Sequence, residues 1–277
     1  MKKSVAALLA AMVVSGAHAQ SQELVKKWES EATLKVPESV YLDEKRGVLY
    51  VSNIDGEPWG DDKKGSIGKL GLDGKVIAAE WVKGLSAPKG MALVGNLLYV
   101  GDMKEVIVID VDKGSIAKRI SVPGAMGLND VAADPKGTIY VSDSQGKKVY
   151  SISDGKPSVL LENLKGPNGL LHHRGALHVL DGDSAYRVGK DRSLKRITGG
   201  IEGVLDGIEP VSENEFLIST WQGTMHFVKA DGTNELLLDT RAEKINAADI
   251  GYDPRKRIVY VPTFFKNSVV AYQLTKN

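Results

Sequence analysis

The sequence predicts an all-β protein, a six-bladed β-propeller, on three observations. A phrase recurs at the ends of strand-like runs: Tyr50-Val51-Ser52-Asn53, Tyr99-Val100-Gly101-Asp102, Tyr140-Val141-Ser142-Asp143 and His178-Val179-Leu180-Asp181, with weaker copies ending at Thr220 and Thr263. The six end points stand 49, 41, 38, 39 and 43 residues apart, a period that suits four-stranded blades. Helical periodicity sustained over three turns is absent after residue 20, which argues against an α/β enzyme fold.

Taken in order, the chain opens with Lys2 and Lys3, an apolar run from Val5 to Val14, and the small-x-small site Ala17-His18-Ala19. This is the pattern of a secretion signal over residues 1–19, leaving residues 20–277 as a single domain. The apolar run is too short to span a bilayer, and no later stretch approaches about 20 apolar residues. A strand-like segment, Glu23 to Glu29, then precedes the first unit, whereas the sixth unit stops after its third strand, Ser268 to Leu274. The spare strand is expected to complete the last blade and close the ring, removing the two edges that an open array would expose.

Within each unit a second element lies 13 to 15 residues upstream of the phrase end: Pro37-Glu38-Ser39, Pro88-Lys89-Gly90, Leu128-Asn129-Asp130, Pro167-Asn168-Gly169, Leu205-Asp206-Gly207 and Ala247-Ala248-Asp249. Turn signals such as Asp134-Pro135-Lys136-Gly137 and Asp253-Pro254-Arg255-Lys256 separate the two. Third strands such as Val106 to Val111 and Lys148 to Ile152 follow, then outer strands such as Ser158 to Glu162 and Glu235 to Leu238. Gly199 to Gly203 reads as a flexible turn before the fifth blade and lacks the spacing of a dinucleotide or phosphate loop.

Composition narrows the function. The 36 Lys and Arg balance 35 Asp and Glu, and they are scattered, so neither nucleic acid nor an anionic membrane is implied as a partner. Loss of Lys2 and Lys3 with the signal turns the formal charge from +1 to −1. The absence of cysteine excludes disulfides, thiolate metal sites and a lipid anchor. A soluble monomer in the periplasm or medium, acting on a small molecule, is expected.

Aligning the upstream triplets puts Glu38, Lys89, Asn129, Asn168, Asp206 and Ala248 at one equivalent position, where each innermost strand meets the central channel. Two carboxylates and two amide carbonyls there make a hard, oxygen-only site suited to one divalent cation, Ca²⁺ first, with Mg²⁺ or Mn²⁺ as substitutes. The alternative is that Asn and Asp before Gly are ordinary turn residues; a register shared by four of six units weighs against it. Lys89 supplies a positive charge at the channel mouth and Asp249 a carboxylate from blade 6, both candidates for substrate binding, or else solvated rim residues. The connection from Asp55 to Gly65, with Trp59, Asp61 and Asp62, reads as a lid and lacks EF-hand spacing. His172 and His173 fall beside a hairpin turn, His178 and His226 on half-buried strands, and Trp81, Trp221 and the repeated Tyr residues between blades. No Gly-x-Ser-x-Gly elbow appears.

Pro37-Glu38 ahead of Leu49-Tyr50-Val51, Leu128-Asn129-Asp130, Gly166-Pro167-Asn168-Gly169-Leu170 and Leu205-Asp206-Gly207 stand in the order and spacing of the gluconolactonase and regucalcin (senescence marker protein) propellers. The sequence resembles that family over essentially the whole of residues 20–277. The resemblance implies a divalent cation, commonly Ca²⁺ or Zn²⁺, held by Glu38, Asn129, Asn168 and Asp206. It also implies a lactonase reaction in which the metal polarises the carbonyl and Asp206 helps deprotonate water. The family's lactonases carry an Arg two residues before the third-blade Asn, and this chain has Gly127. Two readings follow: a metal-dependent hydrolase of lactones or related esters, or a non-enzymatic propeller that binds a ligand or partner. A strictosidine-synthase-like condensing propeller ranks last, because those relatives lack the quartet.

Overall fold

The computed structural model describes residues 21–276, so the expected secretion signal lies outside the described residues. The chain forms six antiparallel four-stranded sheets. From the innermost strand outward, blade 1 is Pro37–Asp43, Val48–Asn53, Gly65–Gly71 and Val76–Leu85. Blade 2 is Pro88–Val94, Leu97–Asp102, Glu105–Asp110 and Ser115–Ser121. Blade 3 is Leu128–Ala133, Ile139–Asp143, Lys148–Ser153 and Lys156–Leu161. Blade 4 is Pro167–His173, Ala176–Asp181, Ser184–Val188 and Leu194–Gly199. Blade 5 is Leu205–Pro210, Phe216–Thr220, Thr224–Val228 and Asn234–Asp239.

Blade 6 takes its first three strands from the end of the chain, Gly251–Asp253, Ile258–Pro262 and Val269–Lys276, and its outer strand, Gln22–Glu29, from the beginning. The pairing runs from Gln22 opposite Lys276 to Glu29 opposite Val270, which is the ring closure the sequence predicts. The innermost strands contact one another in the order of the blades, and that of blade 6 returns to that of blade 1. Among the described residues no helix is long and apolar enough to cross a membrane.

Side-chain alternation explains the repeated phrase. Successive residues of a strand point to opposite faces, and in a propeller both faces of a blade are covered by neighbours. In blade 1, Leu49 and Val51 join the apolar wedge shared with blade 6, while Tyr50 joins the wedge shared with blade 2. Every residue of Val48–Asn53 is therefore buried, and the strand reads as an apolar run rather than an alternating one. Six such wedges, one per neighbouring pair of blades, make the core.

The glycine that follows several channel positions is set by the same packing. A Cβ on Gly207 would lie 2.5 Å from the backbone nitrogen of Ile250 in the next blade, and one on Gly169 would run into the carbonyl oxygen of Asp206. Only hydrogen lets these inner strands come so close to the axis. Gly207→Ala is expected to cost about 1–3 kcal/mol by overpacking, read from urea unfolding. Gly166→Ala, where a Cβ meets nothing within 4 Å, should stay within about 0.5 kcal/mol of the parent.

Candidate functional site

Glu38, Lys89, Asn129, Asn168 and Asp206 each occupy the second position of an innermost strand. Pairing with the second strand breaks register across that position in all five blades, between Pro37 and Ser39, Pro88 and Met91, Leu128 and Val131, Pro167 and Leu170, and Leu205 and Ile208. A bulge of this kind frees a residue from the ladder and re-aims its side chain.

The recurring phrase holds the bulges in place. Its terminal Asp accepts two backbone N–H groups from the segment leading into the innermost strand of the same blade: Asp102 from Ser86 and Ala87, Asp143 from Met126 and Gly127, Asp181 from Lys165 and Gly166. Its Ser accepts the N–H of the residue after the channel position, with Ser52 serving Ser39, Ser142 serving Asp130 and Ser219 serving Gly207, each at 2.9 Å. Groups that a regular ladder would have paired are thereby satisfied by side chains.

The five side chains line one cavity of about 280 Å³. Asn129 donates its amide Nδ2 to Ser144 Oγ at 3.0 Å, and Asn168 donates Nδ2 to the Leu205 carbonyl at 2.9 Å and to Asp206 Oδ1 at 3.2 Å. These bonds fix both amide orientations. Asn168 Oδ1 and Glu38 Oε2 are buried with no hydrogen-bond partner, a costly state for polar oxygen unless something else meets it. Such oxygens, beside a second amide and a second carboxylate, are the donor set of a hard cation. No three His, Cys, Asp or Glu side chains among the described residues are grouped to hold a metal, so a cation here would depend on the asparagine carbonyls.

Burial dominates the electrostatics. It raises the Glu38 carboxyl, with the Lys89 charge opposing the shift. It raises Asp206 well above the ordinary carboxylate range, reinforced by Glu38 and Asp249 and opposed by Lys89. It lowers the Lys89 ammonium, against the pull of Glu38, Asp206 and Asp102. Lys89 is the one cation lining the cavity among the described residues. Its Nζ donates to the Pro58 carbonyl at 2.6 Å and lies 4.5 Å from the centre of the Trp59 ring.

The other lining residues are Pro58, Trp59, Val204, Trp221 and Phe264. Pro58 and Trp59 bring the long connection of blade 1 to the cavity, where the sequence predicts a lid. Asp61 of that connection accepts from Ser86 Oγ at 2.5 Å. Trp59 rests on Gly127: a Cβ there would lie 2.8 Å from its Cζ3. Trp81 stacks on Tyr50 at 5.2 Å between blades, as expected. Trp221, assigned the same place by sequence, instead lines the cavity and meets Phe264 edge to face at 5.6 Å. Phe264 has a left-handed backbone at φ +50°, uncommon for a bulky residue, and the adjoining Thr263 is tied to Ser268 through both its N–H and its hydroxyl.

The repeat carries no signal past the last residue of the phrase, so it leaves Phe264 unmarked and does not bring Trp221 to the cavity. Each is the residue after a phrase end, equivalent to Ser144, which holds Asn129.

Asp249 does not join this cavity. It lines the channel space beneath, with Ser39, Asp130 and Glu209, and accepts from Ser39 Oγ at 2.5 Å. Ala248, the blade 6 equivalent of these channel positions, is buried with Ile54, Ala87 and Phe264. None of the histidines described lines the cavity. His172 and His173 end a strand beside the Arg174-Gly175 turn, as expected. His178 is 4% exposed rather than half-buried, and burial pushes it down to about 4.

The Asp249 carboxyl is pushed up to about 8 by burial and by the charge of Glu38. An unfolded chain releases this proton near pH 4. Between those values the folded state binds more protons, so stability falls as pH rises. Asp249→Asn should match the parent near pH 4 and exceed it by a few kcal/mol at pH 8. Denaturant unfolding across this pH range gives the difference.

No family model and no curated protein matches the chain. Its structure is similar to a gluconolactonase from Xanthomonas campestris (TM-score 0.69, 16% identity, 87% of each chain covered). It is also similar to a streptogramin B lyase (TM-score 0.66, 13% identity, 92% of this chain and 98% of that one). A catalytically inactive virginiamycin B lyase from Staphylococcus aureus with quinupristin matches as well (TM-score 0.64, 13% identity, 92% of this chain and 100% of that one). At these identities the likeness is one of fold.

Proposed function

We propose that the protein is a divalent-metal-dependent hydrolase of lactones or related esters, with Ca²⁺ the first candidate ion and Mg²⁺, Mn²⁺ or Zn²⁺ as substitutes. The observation that carries this reading is the pair of buried, unpartnered oxygens, Glu38 Oε2 and Asn168 Oδ1, in a cavity shared with Asn129 and Asp206. Glu38, Asn129, Asn168 and Asp206 would hold the cation. When bound, it supplies Lewis-acid polarisation of a carbonyl and lowers the pKa of water.

Asp206 takes the proton of the attacking water and returns it to the oxygen freed when the acyl C–O bond breaks. Asn168 Nδ2, bonded to Asp206 Oδ1, fixes the orientation of that carboxylate. Pro58 and Trp59 cover the cavity and limit access of bulk water. The same proposal has the chain exported, cleaved after Ala19, and acting as a monomer in the periplasm or medium. Gly127, in place of the family's Arg, favours a second reading, a propeller that binds a ligand without turning it over; propeller folds host both.

Calorimetric Ca²⁺ titration of the chelator-stripped protein is expected to show one site, weakened at least about 10-fold in Asp206→Ala. Hydrolysis of a lactone panel should require the ion and fall about 10²-fold or more in Asp206→Asn. Absence of divalent-ion binding in the parent would remove the hydrolase reading.

A further inference from the structure

The charged and amide side chains that line the cavity all come from innermost strands, and the remaining lining residues are apolar or aromatic. Pro58, Trp59, Val204, Trp221 and Phe264 offer one hydrogen-bonding side-chain group apiece at most, the two indole N–H groups. Lys89, the lining cation, is already engaged by the Pro58 carbonyl and the Trp59 face.

Exposed apolar side chains gather around the same opening. Of the seven large hydrophobic residues that are exposed among the described residues, Val25, Ile77, Val159 and Leu236 lie on outer strands of the blades. Of the other three, Val204 lines the cavity and Phe265 packs edge to face on two lining residues, Phe264 and Trp221, while Met126 adjoins Gly127, on which Trp59 rests. Water-exposed apolar surface concentrated at a concave site marks a ligand with apolar surface of its own. A cavity of about 280 Å³ is at the small end of ligand sites, which run roughly 300–1,000 Å³, so the occupant is a small molecule.

A polyhydroxylated ligand is poorly served here. Each hydroxyl buried without a partner carries a desolvation penalty, and a Cβ at position 127 would lie 2.8 Å from both Trp59 and Gln145. We propose that the substrate is a lactone or ester whose non-reacting part is alkyl or aromatic, lodged against Trp59, Trp221 and Phe264, and that Trp59 determines this specificity. Lys89 is a positioning residue that holds Pro58 and Trp59 over the cavity. The inference rests on the hydrolase reading for the reacting carbonyl, and on the cavity walls alone for the class of ligand.

The test compares δ-decalactone with glucono-δ-lactone, which share a six-membered lactone ring and differ in an alkyl tail against hydroxyls. Both are measured on the Ca²⁺-loaded protein by calorimetric binding and by initial rates above the uncatalysed blank. The expected result is a preference for δ-decalactone of about 10-fold or more in Kd and kcat/KM. Trp59→Ala should weaken binding and kcat/KM for δ-decalactone about 10-fold more than for glucono-δ-lactone, and Trp59→Phe should restore much of the preference.

A preference for glucono-δ-lactone, or an equal loss on both substrates in Trp59→Ala, overturns the inference and leaves the hydrolase reading intact. Binding of δ-decalactone that depends on Trp59, without turnover, keeps the inferred ligand class and overturns the hydrolase reading. Failure to bind δ-decalactone overturns the inference.

Discussion

Inside a regular β-ladder every backbone group is paired with the neighbouring strand and side chains stand perpendicular to the sheet. At the second position of five innermost strands that pairing is broken, and the arrangement at the channel mouth depends on this break. Residues about forty positions apart can then face one space rather than the wedges between blades. The break would leave backbone donors orphaned in a buried region. Side chains of the phrase, the carboxylates of Asp102, Asp143 and Asp181 and the hydroxyls of Ser52, Ser142 and Ser219, accept them instead. Ring closure by Gln22–Glu29 is the complement of this device, because the floor converges only if all six blades share one axis.

The convergence creates an electrostatic tension that the protein relieves in part. Burial and then the charge of Glu38 raise the cost of ionising Asp206, and Asp130, Asp249 and Glu209 continue the acidic lining down the channel, each pushed up chiefly by burial. Asp130 is partly compensated by the backbone N–H groups of Val131 and Leu170. Lys89 is the only positive charge lining the upper cavity among the described residues, and its buried ammonium is satisfied by a carbonyl and a ring rather than by a carboxylate. Polar oxygens so placed are strongly biased toward any cation that can enter.

The sequence revealed those parts of the molecule that the repeat constrains. The phrase is legible because its apolar members are buried on both faces and its Ser and Asp carry out the same local task in several blades, so composition and position are tied to structure. Glu38, Asn129, Asn168 and Asp206 were found through that register, and the structure brings them to one cavity. The cavity position of Trp221 and any role for Phe264 are not legible because the next position has no fixed residue type, being Ile54, Met103, Ser144, Gly182, Trp221 and Phe264 around the ring. Asp249 was set at the mouth because a periodic pattern gives the angle about the axis and not the depth along it. Blade 6 begins its innermost strand late, at Gly251–Asp253, and Asp249 bridges to Ser39, one residue below the floor.

Floor and walls therefore have different origins. The floor is written by the repeat, whereas much of the wall comes from two connections that exceed it. Between the second and third strands the chain turns tightly in blades 2 and 4, from Asp102 to Glu105 and from Asp181 to Ser184. In blade 1 the same connection runs from Asn53 to Gly65 and carries Pro58 and Trp59, and in blade 6 it runs from Pro262 to Val269 and carries Phe264 and Phe265. Blades 1 and 6 are neighbours in the ring, so the longer connections come from adjacent blades. Loops on a rigid scaffold vary more freely than the strands that bear them. The oxygen set can thus stay fixed while these two loops decide what is admitted, and here they present rings of Trp and Phe where a sugar would need hydrogen-bond partners.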